Sequence, residues 1–197
     1  MNIGILGIQG SVAEHFDAVR EAGAECILIK KPEDLTGVAG LIIPGGESTT
    51  IGKLIERFGL RTEILKMAEA GRPIWGTCAG AILLAKNIEG DGGTGGGVKT
   101  LGLMDITVER NAYGSQADSF ETEILFDFGE AGGRKKIPAV FIRAPKISKV
   151  GSGVRVLAEY EGETVAVIEN NLFATTFHPE LTDNGEIHRW FIKMCRA

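Results

Sequence analysis

Residues 73–84 decide the fold. They read Pro-Ile-Trp-Gly-Thr-Cys-Ala-Gly-Ala-Ile-Leu-Leu: a buried apolar strand, a turn flanked by glycines and an apolar helix. This order is that of a nucleophile elbow, with Gly-x-Cys-x-Gly in place of Gly-x-Ser-x-Gly. Gly76 and Gly80 allow a tight turn and close packing of the helix on the strand. The turn holds Cys78 at a helix N-terminus, where unpaired N–H groups favour a thiolate. The pattern therefore predicts Cys78 as a nucleophile.

A thiolate nucleophile needs a base and a group that orients the base. The segment His178-Pro179-Glu180 supplies both, one hundred residues further along the chain. Pro179 restricts the preceding histidine to extended backbone. In an extended segment, side chains two positions apart point the same way. Cys78, His178 and Glu180 are therefore predicted to form a triad for acyl transfer.

The same histidine and glutamate could instead be two ligands of a metal ion. A zinc site needs three or four ligands, usually with further histidines or cysteines close by. The remaining histidines, His15 and His188, fall on predicted helices next to charged residues and are expected to face solvent. We therefore predict no metal site.

Residues 43–50, Ile-Pro-Gly-Gly-Glu-Ser-Thr-Thr, follow a predicted strand and open a predicted helix. In a parallel sheet this segment lies at the carboxyl edge, where ligands bind. The Ala79 N–H, directly after the nucleophile, is the expected first oxyanion donor. The Gly46 N–H is the candidate for the second. The segment can equally be a helix-capping turn with Ser48 or Thr49 as the cap, and both interpretations can hold at once.

Composition limits the classes of function that the chain can have. The chain has 197 residues, 44% of them hydrophobic and 24% charged, with a net charge of −5, which suits one α/β domain over residues 1–197. It has no basic tract for nucleic acid, no apolar run near the ~20 residues of a membrane span and no basic N-terminal signal region. Its three cysteines lack disulfide spacing. We therefore expect a cytoplasmic protein without nucleic-acid or membrane partners.

The order of predicted elements indicates the fold class. Strands and helices alternate in the first half, which predicts right-handed crossovers and a mostly parallel sheet. The second half is rich in strands and ends in a helix over residues 184–195. The fold class is thus α/β, with a mostly parallel central sheet plus antiparallel additions. The glycine-rich run 90–97 is a predicted surface loop. Besides the elbow strand, which begins the run 73–84, strands are predicted over residues 3–8, 25–30, 40–43, 104–108, 122–126, 139–142, 155–160, 164–168 and 173–176.

These motifs resemble those of the triad-type, or class I, glutamine amidotransferases. More narrowly, the chain resembles the glutaminase subunits of pyridoxal 5'-phosphate synthases over nearly its whole length. The elbow and the His-Pro-Glu segment specify the broad class, and three further runs narrow the resemblance. Those runs are Gly-Glu-Ser-Thr-Thr at 46–50, Glu-Arg-Asn at 109–111 and Phe-Ile-Arg-Ala-Pro at 141–145.

The resemblance implies a three-layer α/β sandwich and a definite activity. Cys78 would attack L-glutamine and form a thioester, giving glutamate and ammonia without a metal or an organic cofactor. The ammonia would pass to a barrel-shaped synthase subunit that makes pyridoxal 5'-phosphate, or vitamin B6. Carried over residue by residue, the resemblance implies glutamine contacts from Gly46, Glu47, Ser48, Arg110, Ile142 and Arg143.

Two features depart from the family pattern. Ser115 stands where the family often has arginine, and the glycine-rich loop is longer than expected. Both bear on loop contacts and partner docking rather than on the triad. The N-terminal segment around Gln9, Gly10 and His15 could belong to the partner interface or be an ordinary first helix.

Three other interpretations stay open at this point. The chain could be a glutaminase for another acceptor, such as imidazole glycerol phosphate synthase. It could be a cysteine peptidase or related hydrolase on a similar sandwich. It could also be a regulatory subunit with an inert site, although the intact triad argues against that.

Overall fold

A computed structural model describes residues 1–89, 97–110, 119–130 and 132–196. Ser115 and all of the glycine-rich run except Gly97 lie outside these ranges. Within them, the chain forms twelve strands and five α-helices. The strands are β1 Asn2–Leu6, β2 Glu25–Ile29, β3 Gly40–Ile43, β4 Ile74–Thr77, β5 Ala85–Glu89, β6 Met104–Glu109, β7 Ser119–Asp127, β8 Arg134–Ile142, β9 Lys146–Val150, β10 Arg155–Tyr160, β11 Glu163–Glu169 and β12 Leu172–Thr175. The helices are α1 Val12–Glu21, α2 Ser48–Arg57, α3 Leu60–Glu69, α4 Ala79–Leu84 and α5 Glu186–Met194.

Ten of these strands form the central sheet of the described chain, in the order β2-β1-β3-β4-β12-β11-β9-β6-β5, with β10 paired to β11. The run from β2 to β12 is parallel throughout. Strand β11 then runs antiparallel to β12, and further antiparallel pairs join β10 to β11, β11 to β9 and β9 to β6. The prediction of a mostly parallel sheet with antiparallel additions is confirmed.

The sheet separates two apolar cores, which makes the molecule three layers thick. Side chains of α2, α3 and α4 pack on one face, as Ile51, Ile64 and Leu83 illustrate. On the other face, α1, α5 and the antiparallel hairpin β7–β8 cover the sheet through residues such as Val19 and Phe191. Helices α1, α2, α3 and α5 each bury one apolar stripe, as amphipathic surface helices do, whereas all residues of α4 are buried. No helix among the described residues has the length and apolar character needed to cross a membrane.

The close approach of α4 to the sheet depends on a glycine in the elbow. A Cβ atom on Gly80 would collide with the carbonyl oxygen of Ile43, in the neighbouring strand β3. Any larger residue would push the helix off the sheet and displace the turn that carries the thiol. The reason for Gly80 in the elbow pattern is therefore packing.

Two strands are absent from the sequence prediction. Strand β5, Ala-Lys-Asn-Ile-Glu, follows α4 with no glycine or proline between them. Strand β9, Lys-Ile-Ser-Lys-Val, carries two lysines and leaves three of its five residues exposed. Neither strand has the apolar alternation that marks a half-buried strand. Both are held by pairing with β6, which is a long-range contact.

Candidate active site

Four neighbouring strands deliver residues to one edge of the sheet. Strands β1, β3, β4 and β12 are adjacent and parallel. Their carboxyl ends lead into Gln9, Gly45-Gly46, Cys78 and His178, respectively. Because the carboxyl ends of parallel strands meet at one edge, segments far apart in sequence converge there.

The elbow holds Cys78 in a backbone conformation that is rare for a residue with a side chain. Its φ is 48° and its ψ is −104°, and α4 begins at the next residue. A hydrogen bond of 2.8 Å from the Cys78 N–H to the Thr175 carbonyl ties the turn to β12. The thiol is buried, and its sulfur lies 3.9 Å from the Ile142 carbonyl oxygen. Such strained conformations are concentrated at active sites.

The structure brings His178 against the Cys78 thiol and Glu180 against the His178 ring. The backbone N–H of His178 donates to the Val140 carbonyl at 2.8 Å. The Nδ1 atom of the His178 ring lies 2.7 Å from Glu180 Oε1. A carboxylate only accepts, so Nδ1 carries the proton and Nε2 is left for the side-chain hydrogen bond with Cys78. All three predicted triad residues are thus assembled.

The backbone route to this pairing differs from the sequence prediction. His178 is not followed by extended chain, because Pro179–Leu181 forms a short 3-10 turn. Proline is well suited to the first position of such a turn. The turn, rather than strand alternation, directs the carboxylate of Glu180 back to the imidazole.

Burial and hydrogen bonding shift the pKa values of His178 and Glu180 in opposite directions. Burial alone would lower the pKa of His178, but the hydrogen bonds with Cys78 and Glu180 raise that pKa to about 10. Burial raises the pKa of Glu180, yet His15 and His178 more than offset it, so this pKa lies below its ordinary value. The site therefore favours an imidazolium held between a sulfur atom and a carboxylate.

The loop after β3 lies directly against Cys78 and His178. A Cβ atom on Gly45 would collide with His178 Cε1 and lie 3.3 Å from the Cβ of Cys78. In the same loop, the backbone N–H of Glu47 donates a hydrogen bond to Gln9 Oε1 at 2.8 Å. Within the described chain, no hydrogen bond is found from the N–H of Gly46 or Ala79. Their assignment as oxyanion donors stays a prediction.

Glu47 has a structural role that the sequence analysis missed. It caps α2, because its carboxylate accepts from the Thr49 and Thr50 N–H groups at 2.9 and 2.7 Å and from the Thr50 hydroxyl at 2.6 Å. The alternative that Ser48 or Thr49 caps this helix is wrong. Burial opposes ionisation, but the hydrogen bonds from Thr50 and Thr49 lower the pKa of Glu47 to about 2. Arg110 Nη2 approaches this carboxylate at 3.8 Å.

The other predicted glutamine contacts surround the same loop and the thiol. Ser48 is buried as the first residue of α2. Ile142 ends β8, is partly exposed and places its carbonyl beside the thiol. Arg143 follows it, exposed and with a φ of 44°, a second strained residue beside the nucleophile. Their roles toward glutamine stay predictions.

The expectation that His15 and His188 face solvent is wrong, because both are 0% exposed. Charged sequence neighbours were a poor guide here. The helical spacing from His15 to the buried Val19, and from His188 to the buried Phe191 and Ile192, places both histidines on apolar helix faces. In the parts of the chain that the structure describes, no group of three or more His, Cys, Asp or Glu side chains is arranged to hold a metal ion.

The chain is similar to known proteins over nearly its whole length. The pyridoxal 5'-phosphate synthase subunit PdxT of Dehalococcoides mccartyi is 52% identical over 197 residues, covering 100% of this chain and 98% of that protein. The same-named subunit of Caldanaerobacter subterraneus subsp. tengcongensis is 51% identical over 195 residues, covering 98% of this chain and 99% of that protein.

Solved structures show the same fold. A crystal structure of a glutamine amidotransferase superposes with a TM-score of 0.89 at 41% identity, covering 99% of each chain. The structure of PurLQS from Thermotoga maritima superposes with a TM-score of 0.76 at 19% identity, covering 99% of this chain and 97% of that one, which bears on the fold alone. A family model described as the SNO glutamine amidotransferase family matches residues 5–197. The chain belongs to the SNO glutamine amidotransferase family.

Proposed function

We propose that this chain is the glutaminase subunit of a pyridoxal 5'-phosphate synthase, which hydrolyses L-glutamine and supplies ammonia for vitamin B6 synthesis. The observation that carries the proposal is the buried alignment of Cys78, His178 and Glu180 at the carboxyl edge of the sheet, in a member of this family. Its geometry suits acyl transfer from an amide.

In the first step, the Cys78 thiolate attacks the side-chain amide carbon of glutamine and a C–S bond forms. The C=O electron pair moves to oxygen, and the tetrahedral intermediate carries an oxyanion. The Ala79 and Gly46 N–H groups are our candidates to hold that oxyanion, since neither is committed to another hydrogen bond in the described chain. One such donor typically contributes about 3 kcal/mol to transition-state stability.

In the second step, the intermediate expels ammonia. The His178 imidazolium gives its proton to the departing nitrogen as the C–N bond breaks, leaving a thioester and a neutral imidazole. Glu180 holds the ring by its Nδ1–H throughout, at 2.7 Å, and stabilises the charged form of the ring. Water then gives a proton to the imidazole as it attacks the thioester, which releases glutamate and restores the thiolate–imidazolium pair.

Substrate binding uses the groups around the loop after β3. Free glutamine carries an ammonium and a carboxylate, which need partners of opposite charge. The Glu47 carboxylate is ionised and fixed in place by its hydrogen bonds within α2, so it is preorganised to meet the ammonium. Arg110 and Arg143 are the candidate partners for the carboxylate. Ser48 and Ile142 complete the contacts that we assign to glutamine.

The proposal also specifies a partner and a setting. Ammonia released into neutral water is mostly protonated and then no longer a nucleophile, so a dedicated glutaminase has to deliver it to an acceptor enzyme. We assign that role to a barrel-shaped synthase subunit. The chemistry draws on side chains of this chain alone, and a reducing compartment such as the cytoplasm would keep the Cys78 thiol in its working state.

The test measures glutamate formed from glutamine by the parent chain, with and without the synthase subunit. We expect C78A to lose at least about a thousandfold in the assembled complex, since no other group can form the thioester. Cys26→Ala is the matched control, because Cys26 is a free cysteine on β2 whose thiol is engaged with the Phe16 carbonyl. Equal glutamate formation by the C78A complex and the parent complex would refute the proposal.

A further inference from the structure

A group of polar side chains is buried behind the triad, on the side of Glu180 away from His178. His15 of α1 lies between three neighbours. Its Nε2 is 3.1 Å from the Thr77 hydroxyl oxygen and 3.4 Å from Glu180 Oε2, and its Nδ1 is 3.1 Å from His188 Nε2 on α5. His15, His188 and Thr77 are all 0% exposed. The proposed mechanism makes no use of these imidazoles.

The neighbours determine which nitrogen of His15 carries a proton. If Nε2 carried none, its lone pair would face the Glu180 carboxylate, and that oxygen has no hydrogen-bond partner in the described chain. With the proton on Nε2, the ring donates to the Thr77 hydroxyl oxygen at 3.1 Å and places the same nitrogen 3.4 Å from Glu180 Oε2. Nδ1 of His15 then accepts from His188 Nε2–H, and the unpartnered Nδ1 of His188 is a lone pair rather than a buried donor. This arrangement leaves the fewest buried groups unsatisfied.

In this arrangement the N–H groups all point toward the triad. His188 donates to His15, His15 donates toward Glu180, and Glu180 accepts from His178, which faces the thiol. We propose that His15 is a positioning residue for the triad, whose Nε2–H holds the outer carboxylate oxygen of Glu180 while His188 fixes the His15 ring from behind. The inference rests on the proposed function, because it takes Glu180 to orient the base.

His15 also joins the two halves of the site. Thr77 is the last residue of β4 and precedes the nucleophile, while Glu180 lies on the 3-10 turn that follows β12. A single imidazole within reach of both fixes the acid relative to the elbow. A residue that only filled space in this core would need neither polar contact.

The charged surroundings are consistent with a neutral His15. Burial lowers the pKa of His15, and Glu180 raises it by less, so the ring is uncharged at neutral pH. The other titratable groups that act on the two imidazoles are Glu14 on α1, Arg189 on α5 and His178. Glu180 is the ionisable group with which His15 is paired at 3.4 Å.

The test compares two polar replacements of similar size in the full-length chain. In H15Q the amide nitrogen can reach the place of Nε2 and still donate to Glu180. In H15N the shorter side chain reaches only the Nδ1 side, toward His188. For each chain, the rate of Cys78 alkylation by iodoacetamide is measured against pH and located by peptide mass spectrometry, with thermal unfolding measured in parallel.

In H15N we expect the acid limb of the Cys78 alkylation profile, the pH range in which the alkylation rate falls, to move up by about one pH unit. In H15Q it should stay near the parent's. The reason is that the Glu180 carboxylate takes up its proton at higher pH when it loses a donor. Equal acid limbs in H15N and the parent would overturn the proposal, even if H15N unfolds at lower temperature. So would a larger shift in H15Q than in H15N.

A second measurement needs no variant. The ¹⁵N shifts of the His15 ring in the parent chain should report a neutral ring protonated on Nε2 at pH 7, and an Nδ1–H tautomer or a charged ring would overturn the proposal. Neither measurement uses glutamine. Absence of glutaminase activity would therefore count against the proposed function and leave the result on His15 standing.

Discussion

At the scale of single residues, Gly45 shows how closely the loop after β3 approaches the triad. Its Cα faces both the His178 ring and the Cys78 side chain, and a methyl group there would lie 3.1 Å from His178 Nδ1 and 3.3 Å from Cys78 Cβ. The ring cannot move aside freely, since Glu180 holds its Nδ1 at 2.7 Å. The loop therefore defines one wall of the catalytic geometry.

We expect Gly45→Ala to reduce glutaminase activity of the complex by about 100-fold, because a displacement of order 1 Å in a catalytic group can cost that much. The fold should persist, with a loss in the free energy of unfolding of about 1–3 kcal/mol from overpacking. Gly153→Ala is the control, since a Cβ there would meet only Glu169 Oε1, at 3.8 Å. Unchanged turnover in G45A would mean that this loop moves away from the triad in the active state.

Sequence could single out Cys78, His178 and Glu180 because each lies in a short motif, although Pro179 begins a 3-10 turn rather than extended chain. Their catalytic roles stay predictions. Sequence could not predict the surroundings of His15, which depend on contacts between α1, α5 and β4 across the molecule. Nor could it predict the cap made by Glu47, because serine and threonine are the commoner capping residues and both follow it directly. Sequence thus singles out residues within short motifs and misses contacts made between distant elements.

At the scale of elements, the N-termini of α1 and α2 provide a matched pair. Both helices have ten residues, and each has a capping candidate at the preceding position, Ser11 and Glu47. The Glu47 side chain accepts from two backbone N–H groups of the first turn, whereas Ser11 makes no such side-chain bond. Ser11 therefore precedes α1 without capping it through its side chain.

We expect Glu47→Ala to lower the free energy of unfolding by about 1 kcal/mol, the usual cost of losing a helix cap. Ser11→Ala should change it by much less, because its hydroxyl satisfies no N–H group of α1. Urea unfolding at neutral pH measures both changes without reference to glutamine. Equal effects in the two variants would contradict the assignment of Glu47 as the cap of α2.

At the scale of the whole molecule, two cores meet at the site. The elbow strand β4 contributes Trp75 to the core under α1 and α5, while α4, directly after Cys78, packs in the core on the other face. His15 and His188 lie beside Trp75, with ring centroids 5.5 and 4.9 Å away. Two ionisable imidazoles are thus embedded in the apolar layer that holds α1 and α5 to the sheet.

Because His188 is buried, the free energy of unfolding depends on pH in the acid range. Burial, with His15 adding to it, lowers the pKa of His188 to about 3, below its ordinary value of 6.5. His188 therefore binds a proton below pH 6.5 in the unfolded chain, whereas in the folded chain it does so only at about pH 3. The stability that a neutral His188 contributes is complete above pH 6.5 and is lost progressively as the pH falls toward 3. Well below pH 6.5, His178 adds little to this slope, because its raised pKa keeps it protonated in the folded chain and its ordinary pKa of 6.5 keeps it protonated in the unfolded chain.

We expect His188→Gln to flatten the dependence of unfolding free energy on pH between about 4 and 6, by up to about 1.4 kcal/mol per pH unit, the value for one proton. The glutamine amide can still donate to His15 but does not titrate in this range. Lys193→Gln, on the exposed face of the same helix, is the control, because Lys193 lies outside the buried cluster around His188. Some acid dependence should remain in H188Q, since burial also lowers the pKa of His15. Urea unfolding at a series of pH values gives the slopes, and coincident slopes for H188Q and the parent would mean that His188 takes up its proton as readily in the folded chain as in the unfolded one.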